Sequence, residues 1–157
     1  MRIELAPDIE RKVRSALRTA GRLEVGGMLF AEQSAPGKFR IIDISLDLFS
    51  GSHTAFRRDP KVHQKMLNEF FRRTGHDYKR FNYLGEWHSH PSFSVRPSIE
   101  DVNTMTDIVS NPSSPISFAA LLVVRLRLWV WLDYSLTVFA RNQQPQEMRI
   151  STRVVWI

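Results

Sequence analysis

Between Asp8 and Ala20 the apolar positions Ile9, Val13, Ala16, Leu17 and Ala20 recur at steps of three and four, the spacing of one helical face. Gly21 ends that run, as a residue just past a helix C-terminus does. The pattern then changes period. Val25 to Phe30 is continuously apolar around Gly26 and Gly27, which predicts a buried strand approached closely by another backbone or a ligand. Phe39 to Phe49 alternates Ile42, Ile44, Leu46 and Leu48 with Asp43, Ser45 and Asp47, a half-buried strand. Gly51 to Asp59 reads as a loop, and Pro60 opens a helix with Val62, Met66, Leu67, Phe70 and Phe71 on one face. Phe81 to Trp87 is the next strand. Ser98 to Val109 reads as a helix with Ser98 at its N-cap and Asp101 three residues on, an acidic variant of the capping box; Asn111-Pro112-Ser113-Ser114-Pro115 breaks it. Ile116 to Val124 and Leu126 to Ala140 are two further strands around a turn near Arg125-Leu126-Arg127. The order of elements predicts an α/β (α+β) fold, helices on a mixed sheet, with residues 1–157 forming one domain.

Composition narrows the chemistry. A chain of 157 residues with 43% hydrophobic content can build one packed core. It has no cysteine, so any metal must be held by His, Asp or Glu. The N-terminal segment mixes charges with apolar residues and lacks the uninterrupted apolar stretch of a signal peptide, and no segment reads as a membrane span; a cytoplasmic protein without a membrane partner is expected. The net charge of +6 is uneven. Residues 57–80 carry Arg57, Arg58, Lys61, Lys65, Arg72, Arg73, Lys79 and Arg80 against Asp59, Glu69 and Asp77, whereas residues 81–124 carry Arg96 against Glu86, Glu100, Asp101 and Asp107. The basic segment reads first as a solvated helix face. Without a nucleic-acid-binding motif it gives little support to a nucleic-acid partner.

The acidic segment holds the candidate chemistry. Gly85-Glu86-Trp87-His88-Ser89-His90-Pro91 puts two imidazoles two residues apart at a strand exit, hence on one side. Asp101, in the first turn of the following helix, can swing back toward them. Three ligands and an open position are what a catalytic zinc requires, and hydrolysis is the chemistry such a site performs. A carboxylate outside the ligand set must still move protons, and both Glu24 and Glu86 are candidates. Glu24 precedes an apolar strand, where a charge contributes little to stability; Glu86 shares the histidines' strand face and could orient an imidazole. Each part also has an ordinary explanation, since Ser98 and Asp101 can simply cap a helix. The combination singles the segment out. Nucleobase deaminases need a Pro-Cys-X-X-Cys and zincins a His-Glu-X-X-His on a helix, and neither is present.

Glu24-Val25-Gly26-Gly27, His88-Ser89-His90-Pro91 and Ser98-Ile99-Glu100-Asp101 together resemble the JAMM (MPN, JAB1) zinc metallopeptidases. The resemblance covers nearly the whole chain. It implies a curved mixed sheet flanked by helices with a cytidine-deaminase-like core, and one Zn2+ bound by His88, His90 and Asp101. It further implies that Glu24 is the base, that Ser98 donates to the oxyanion, and that Glu86 has a supporting place beside the ligands. Tyr83-Leu84-Gly85-Glu86-Trp87 ahead of the histidines, with Phe56-Arg57-Arg58-Asp59, is similar to the small bacterial deconjugating peptidases of CBASS anti-phage and ubiquitination-like operons. That likeness implies cleavage after the C-terminus of a conjugated protein, either ubiquitin-like or nucleotidyltransferase-like, alongside E1-like and E2-like operon partners. The basic helix, through Arg72 and Arg73, is a candidate docking surface for an acidic partner face. The competing expectation is a scaffold module that keeps the metal for structure alone.

Overall fold

The computed structural model describes residues 1–47 and 60–152. In chain order the elements are β1 (Arg2–Leu5), α1 (Pro7–Ala20), β2 (Gly26–Ala35), β3 (Lys38–Ile44), α2 (Pro60–Arg73), β4 (Phe81–Ser89), α3 (Ile99–Ser110), β5 (Phe118–Arg127), β6 (Trp131–Ala140), β7 (Gln146–Met148) and β8 (Ile150–Thr152). The strands form one sheet in the order β7-β6-β5-β4-β2-β3-β1-β8. It is mixed: β4 runs parallel to β5, β1 runs parallel to β3 and β8, and the remaining pairs are antiparallel. Only Arg149 separates β7 from β8, yet these strands are the two ends of that order. One residue spans less than about 4 Å, so the sheet must curl until its edges nearly meet. This is the curved mixed sheet that the family resemblance implies.

Helix α1 fills the inside of the curl. Ile9, Val13, Ala16 and Leu17 pack there against Ile3, Leu29, Ile41, Trp87, Leu122 and Leu136. Pro7 occupies the first turn, Asp8 and Glu10 favour the positive end of the helix dipole, and Gly21 closes the helix at φ 64° with its N–H on Leu17 O. β5 is buried on both faces, which accounts for its near-continuous apolar run. Ala120, Leu122 and Val124 face α1, while Ala119, Leu121 and Val123 face Met105 and Val109 of α3 on the outside. Helix α2 covers β2 and β4 through Phe70, whose ring stacks on Phe30 at 4.8 Å between centroids.

Several elements depart from the sequence-based expectations. β1, β7 and β8 were not anticipated, and β2 runs on to Ala35, well beyond Phe30. β3 ends at Ile44; the outer end of the strand expected over Phe39–Phe49, the loop Gly51–Asp59 and the Phe56-Arg57-Arg58-Asp59 run fall wholly or partly outside the described residues. The β5–β6 turn lies later than expected. Arg125, Leu126 and Arg127 stay in the ladder opposite Asp133, Leu132 and Trp131, and the chain reverses at Leu128-Trp129-Val130. Arg125 and Arg127 belong in the strand because each has a carboxylate on the facing strand: Arg125 Nη2 lies 2.9 Å and Arg127 Nε 3.4 Å from Asp133 Oδ2.

Candidate metal centre

β4 ends between β2 and β5, and both neighbours fix what leaves it. Gly26 of β2 lies opposite His88, and Val124 of β5 lies level with Ser89. The Ser89 side chain points away from the imidazoles and is fully buried. Its Oγ accepts the Val25 N–H at 3.0 Å while its own N–H donates to Val25 O at 2.8 Å, so this one serine clamps the segment carrying Glu24 against β4. His90 N–H donates to Val124 O at 2.9 Å, which holds the second histidine just past the strand end. Underneath, Trp87 donates its indole N–H to Ser45 O at 2.9 Å and seals the inner face.

Helix α3 brings the third group. Ser98 Oγ accepts the Asp101 N–H at 3.1 Å, and Asp101 Oδ2 accepts the Ser98 N–H at 2.6 Å, a reciprocal capping box. The same carboxylate reaches the histidines, with Oδ1 3.4 Å from His88 Nε2 and Oδ2 3.8 Å from His90 Nε2. The two Nε2 atoms are 3.1 Å apart. Ligands held about 2.0–2.1 Å from a tetrahedral zinc are separated by about 3.3 Å, so these distances approximate the edges of such a polyhedron. His90 Nδ1–H donates to Ser94 O at 2.6 Å, which leaves its Nε2 lone pair facing the other two groups. His88, His90 and Asp101 could therefore hold a metal ion.

The electrostatics agree with that grouping. Burial opposes ionisation of Asp101, yet the hydrogen bond and charge interaction with His88, together with the Ser98 N–H, hold its pKa at about 2. Glu24, only 6% exposed, behaves in the opposite way. Burial pushes its pKa above the ordinary carboxylate value, His90 and His88 pull it back, and Asp101 adds to the rise. The structure thus brings Glu24 into the field of all three cluster residues. Glu86 is half-buried on β4 between Met28 and Leu121, on the strand face of His88. Arg72 pairs with Glu69 on the exposed side of α2 at 2.6 Å. Arg73 instead bonds Asp43 of β3 at 2.5 Å, level with Phe30 and Tyr83 and five residues down β4 from His88. Those two arginines lie at the far end of the sheet from the cluster. Sequence reasoning overlooked Ser89 and Ser94, although the alternation of β4 already put Ser89 on the face opposite the histidines.

Two solution structures share the overall fold. A protein from Desulfitobacterium hafniense superposes with a TM-score of 0.70 at 20% identity, covering 96% of this chain and 92% of that one. Another, from Salinibacter ruber, gives 0.60 at 17% identity over 96% and 92%. Among curated proteins, a CD-NTase/cGAS isopeptidase of Enterobacter hormaechei subsp. hoffmannii (strain UCI 50) is 33% identical over 107 residues, which is 66% of this chain and 55% of that protein. The chain spans about half the length of this curated relative. Residues 6–150 match the family described as prokaryotic homologs of the JAB domain, and that span takes in every residue of the cluster. With the match running from the start of α1 to the start of β8, the chain belongs to the prokaryotic JAB-domain family.

Proposed function

We propose that this chain is a zinc-dependent isopeptidase that hydrolyses the bond after the C-terminus of a protein conjugated to a target. The observation that carries the reading is the tetrahedron-like spacing of His88 Nε2, His90 Nε2 and the Asp101 carboxylate beside a buried Glu24. Bound there, zinc supplies Lewis acidity that polarises the scissile carbonyl and makes water a competent nucleophile near neutral pH. The residues of the chain do the rest. Glu24 takes the proton from the attacking water and delivers it to the leaving amine. Ser98 Oγ accepts the Asp101 N–H, which leaves its hydroxyl proton to donate to the oxyanion. His90 is fixed in its ligand tautomer by Ser94 O, and Glu86 lies on the strand face from which His88 projects.

The curated relative is named for a CD-NTase/cGAS substrate, and we place the substrate of this chain in the same chemical class, a nucleotidyltransferase-like protein with a free-running C-terminal tail. A ubiquitin-like protein is the second member of that class, and E1-like and E2-like enzymes would make the conjugate. In this reading the exposed basic side of α2 around Arg72 is a secondary contact for an acidic surface. The deciding experiment compares Glu24→Gln and Glu86→Gln in zinc content and conjugate cleavage. Glu24→Gln should retain one zinc per chain and lose at least about 100-fold in kcat, as expected when a proton-transfer group is removed, while Glu86→Gln stays active. If wild-type protein binds zinc and yet matches Glu24→Gln in cleaving nothing, the chain is a metal-stabilised scaffold instead.

A further inference from the structure

The β5–β6 turn is built against the usual rules. Leu128 and Trp129 sit in the left-handed region at φ 51° and 60°, where two-residue hairpin turns favour Asn-Gly. Bulky side chains are costly in that conformation. The tip is also apolar and open to solvent: Leu128 is 77% exposed, Trp129 61%, Val130 56% and Trp131 61%. A turn under selection for folding alone has no reason to combine both features. Its backbone is nevertheless held firmly, because Arg18 donates to Trp129 O at 3.3 Å and Arg14 donates to Val130 O, both from α1. Strain maintained by surrounding contacts at an exposed position is a mark of function.

The tip stands at the metal end of the molecule. Val124 is level with Ser89, and the turn begins four residues further on, so it projects roughly 13–17 Å past the histidines at 3.3 Å per residue. The segment between His90 and Ser98 is tied to the same hairpin, with Phe93 O accepting from Arg125 and Val95 O from Ser135. That segment presents exposed Phe93, whose ring meets His90 edge-on, and α3 opens with exposed Ile99. Exposed apolar side chains therefore stand on three segments at the end of the sheet where the cluster lies. Around the turn, Arg14, Arg18, Arg125 and Arg127 outnumber Glu10 and Asp133, which pair with Arg14 and with Arg125 and Arg127.

We infer that the Leu128–Trp131 tip docks the folded body of the protein whose C-terminal tail enters the metal centre, through an apolar patch on that body bordered by carboxylates. The inference rests on the isopeptidase reading and names the surface that selects its substrate. Charge complementarity commits the partner to an acidic rim, and the position beyond the histidine end of the sheet commits it to the substrate. A membrane surface or a second copy of the chain would not need the apolar groups to share that end with the cluster.

The test replaces the tip by what a left-handed turn prefers, Leu128→Asn with Trp129→Gly. Two substrates carry the same scissile bond: a CD-NTase joined through its C-terminal residue to a lysine of a reporter protein, and a peptide of its last ten residues joined to that lysine. The variant should melt no lower than wild type and cleave the peptide with unchanged kcat/KM. On the full conjugate its KM should rise about tenfold or more, and raising salt should increase the wild-type KM for the conjugate alone. Equal loss on both substrates, or no loss on the conjugate, overturns the inference. So does a wild-type dimer that the variant abolishes, or wild-type binding to phosphatidylserine vesicles that the variant loses. If wild type cleaves neither substrate, the isopeptidase reading fails by itself. The docking is then judged by hydrogen exchange of residues 127–131 in Glu24→Gln protein mixed with the free CD-NTase, where protection supports it and unchanged exchange refutes it.

Discussion

Replacing Gly26 by alanine should separate metal binding from turnover. A Cβ there would lie 2.3 Å from Trp87 O and 2.8 and 2.9 Å from His88 Cβ and Cα. Ordinary contact begins near 3.4 Å. The obstacles are backbone and a Cβ, so no side-chain rotation relieves them, and β2 must retreat from β4 by about 1 Å. The retreat must stretch the two Ser89–Val25 hydrogen bonds, while β5 still pairs with the strand carrying His88 and holds His90, and α3 carries Asp101. It carries away Glu24, two residues upstream on the displaced segment. A misplacement of about 1 Å at a reacting group can lower the rate about 100-fold, equivalent to roughly 2.7 kcal/mol of transition-state stabilisation. Overpacking adds a stability loss of about 1–3 kcal/mol. Zinc content by elemental analysis, thermal melting and single-turnover cleavage of a conjugate would be measured on the same preparation. The reasoning fails if Gly26→Ala binds one zinc per chain and cleaves within about threefold of wild type, or if its activity loss merely follows lost zinc.

Asp43 offers a pH-dependent contrast. Burial raises its pKa, but Lys12, Arg73 and the Ile44 N–H outweigh that and hold it below the ordinary carboxylate value. A lowered folded-state pKa contributes stability that is present above the unfolded value of about 4 and fades as pH falls through the folded one. Wild type should therefore outmelt Asp43→Asn at pH 7, with the gap closing below about pH 4; a gap that stays constant with pH contradicts the assignment. On α2, Arg72→Glu should weaken cleavage of a full conjugate by about two- to fivefold, the scale of an exposed ion pair, and spare a tail peptide. Parallel loss on the peptide would remove α2 from the docking surface. Arg73 is unsuited to that experiment because reversing it would also take one of Asp43's two cations and set a like charge beside it.

The sequence was most informative where neighbours along the chain are also neighbours in space. The α1 stripe, the Pro60 helix and the Ser98 cap depend on local spacing, and they stand as expected, α1 a residue earlier. His88, His90 and Asp101 lie within fourteen positions of one another, so their convergence could be anticipated. Glu24 is different. Its place beside them depends on β2 pairing with β4, which no local periodicity encodes: the residues alone left Glu24 and Glu86 as equal candidates, and only the family resemblance preferred Glu24. β7 and β8 are three residues each and exist because the curled sheet offers them edges. The turn lies beyond its expected place because Arg125 and Arg127 answer Asp133 across the ladder, a pairing between strands that the chain order does not display, and the true turn is apolar.

The capping box of α3 gives Asp101 two occupations at once, one in folding and one at the cluster. Selection for a folded protein is enough to preserve Ser98 and Asp101 in a lineage that has abandoned the metal, whereas nothing in the capping box protects His88 or His90. Along such a lineage the histidines would drift first, leaving a Ser-X-X-Asp signature as a fossil of the ancestral chemistry. In surveys of related genomes, the pair of imidazoles therefore carries the information about the metal cluster, whereas the serine and aspartate also report on the helix.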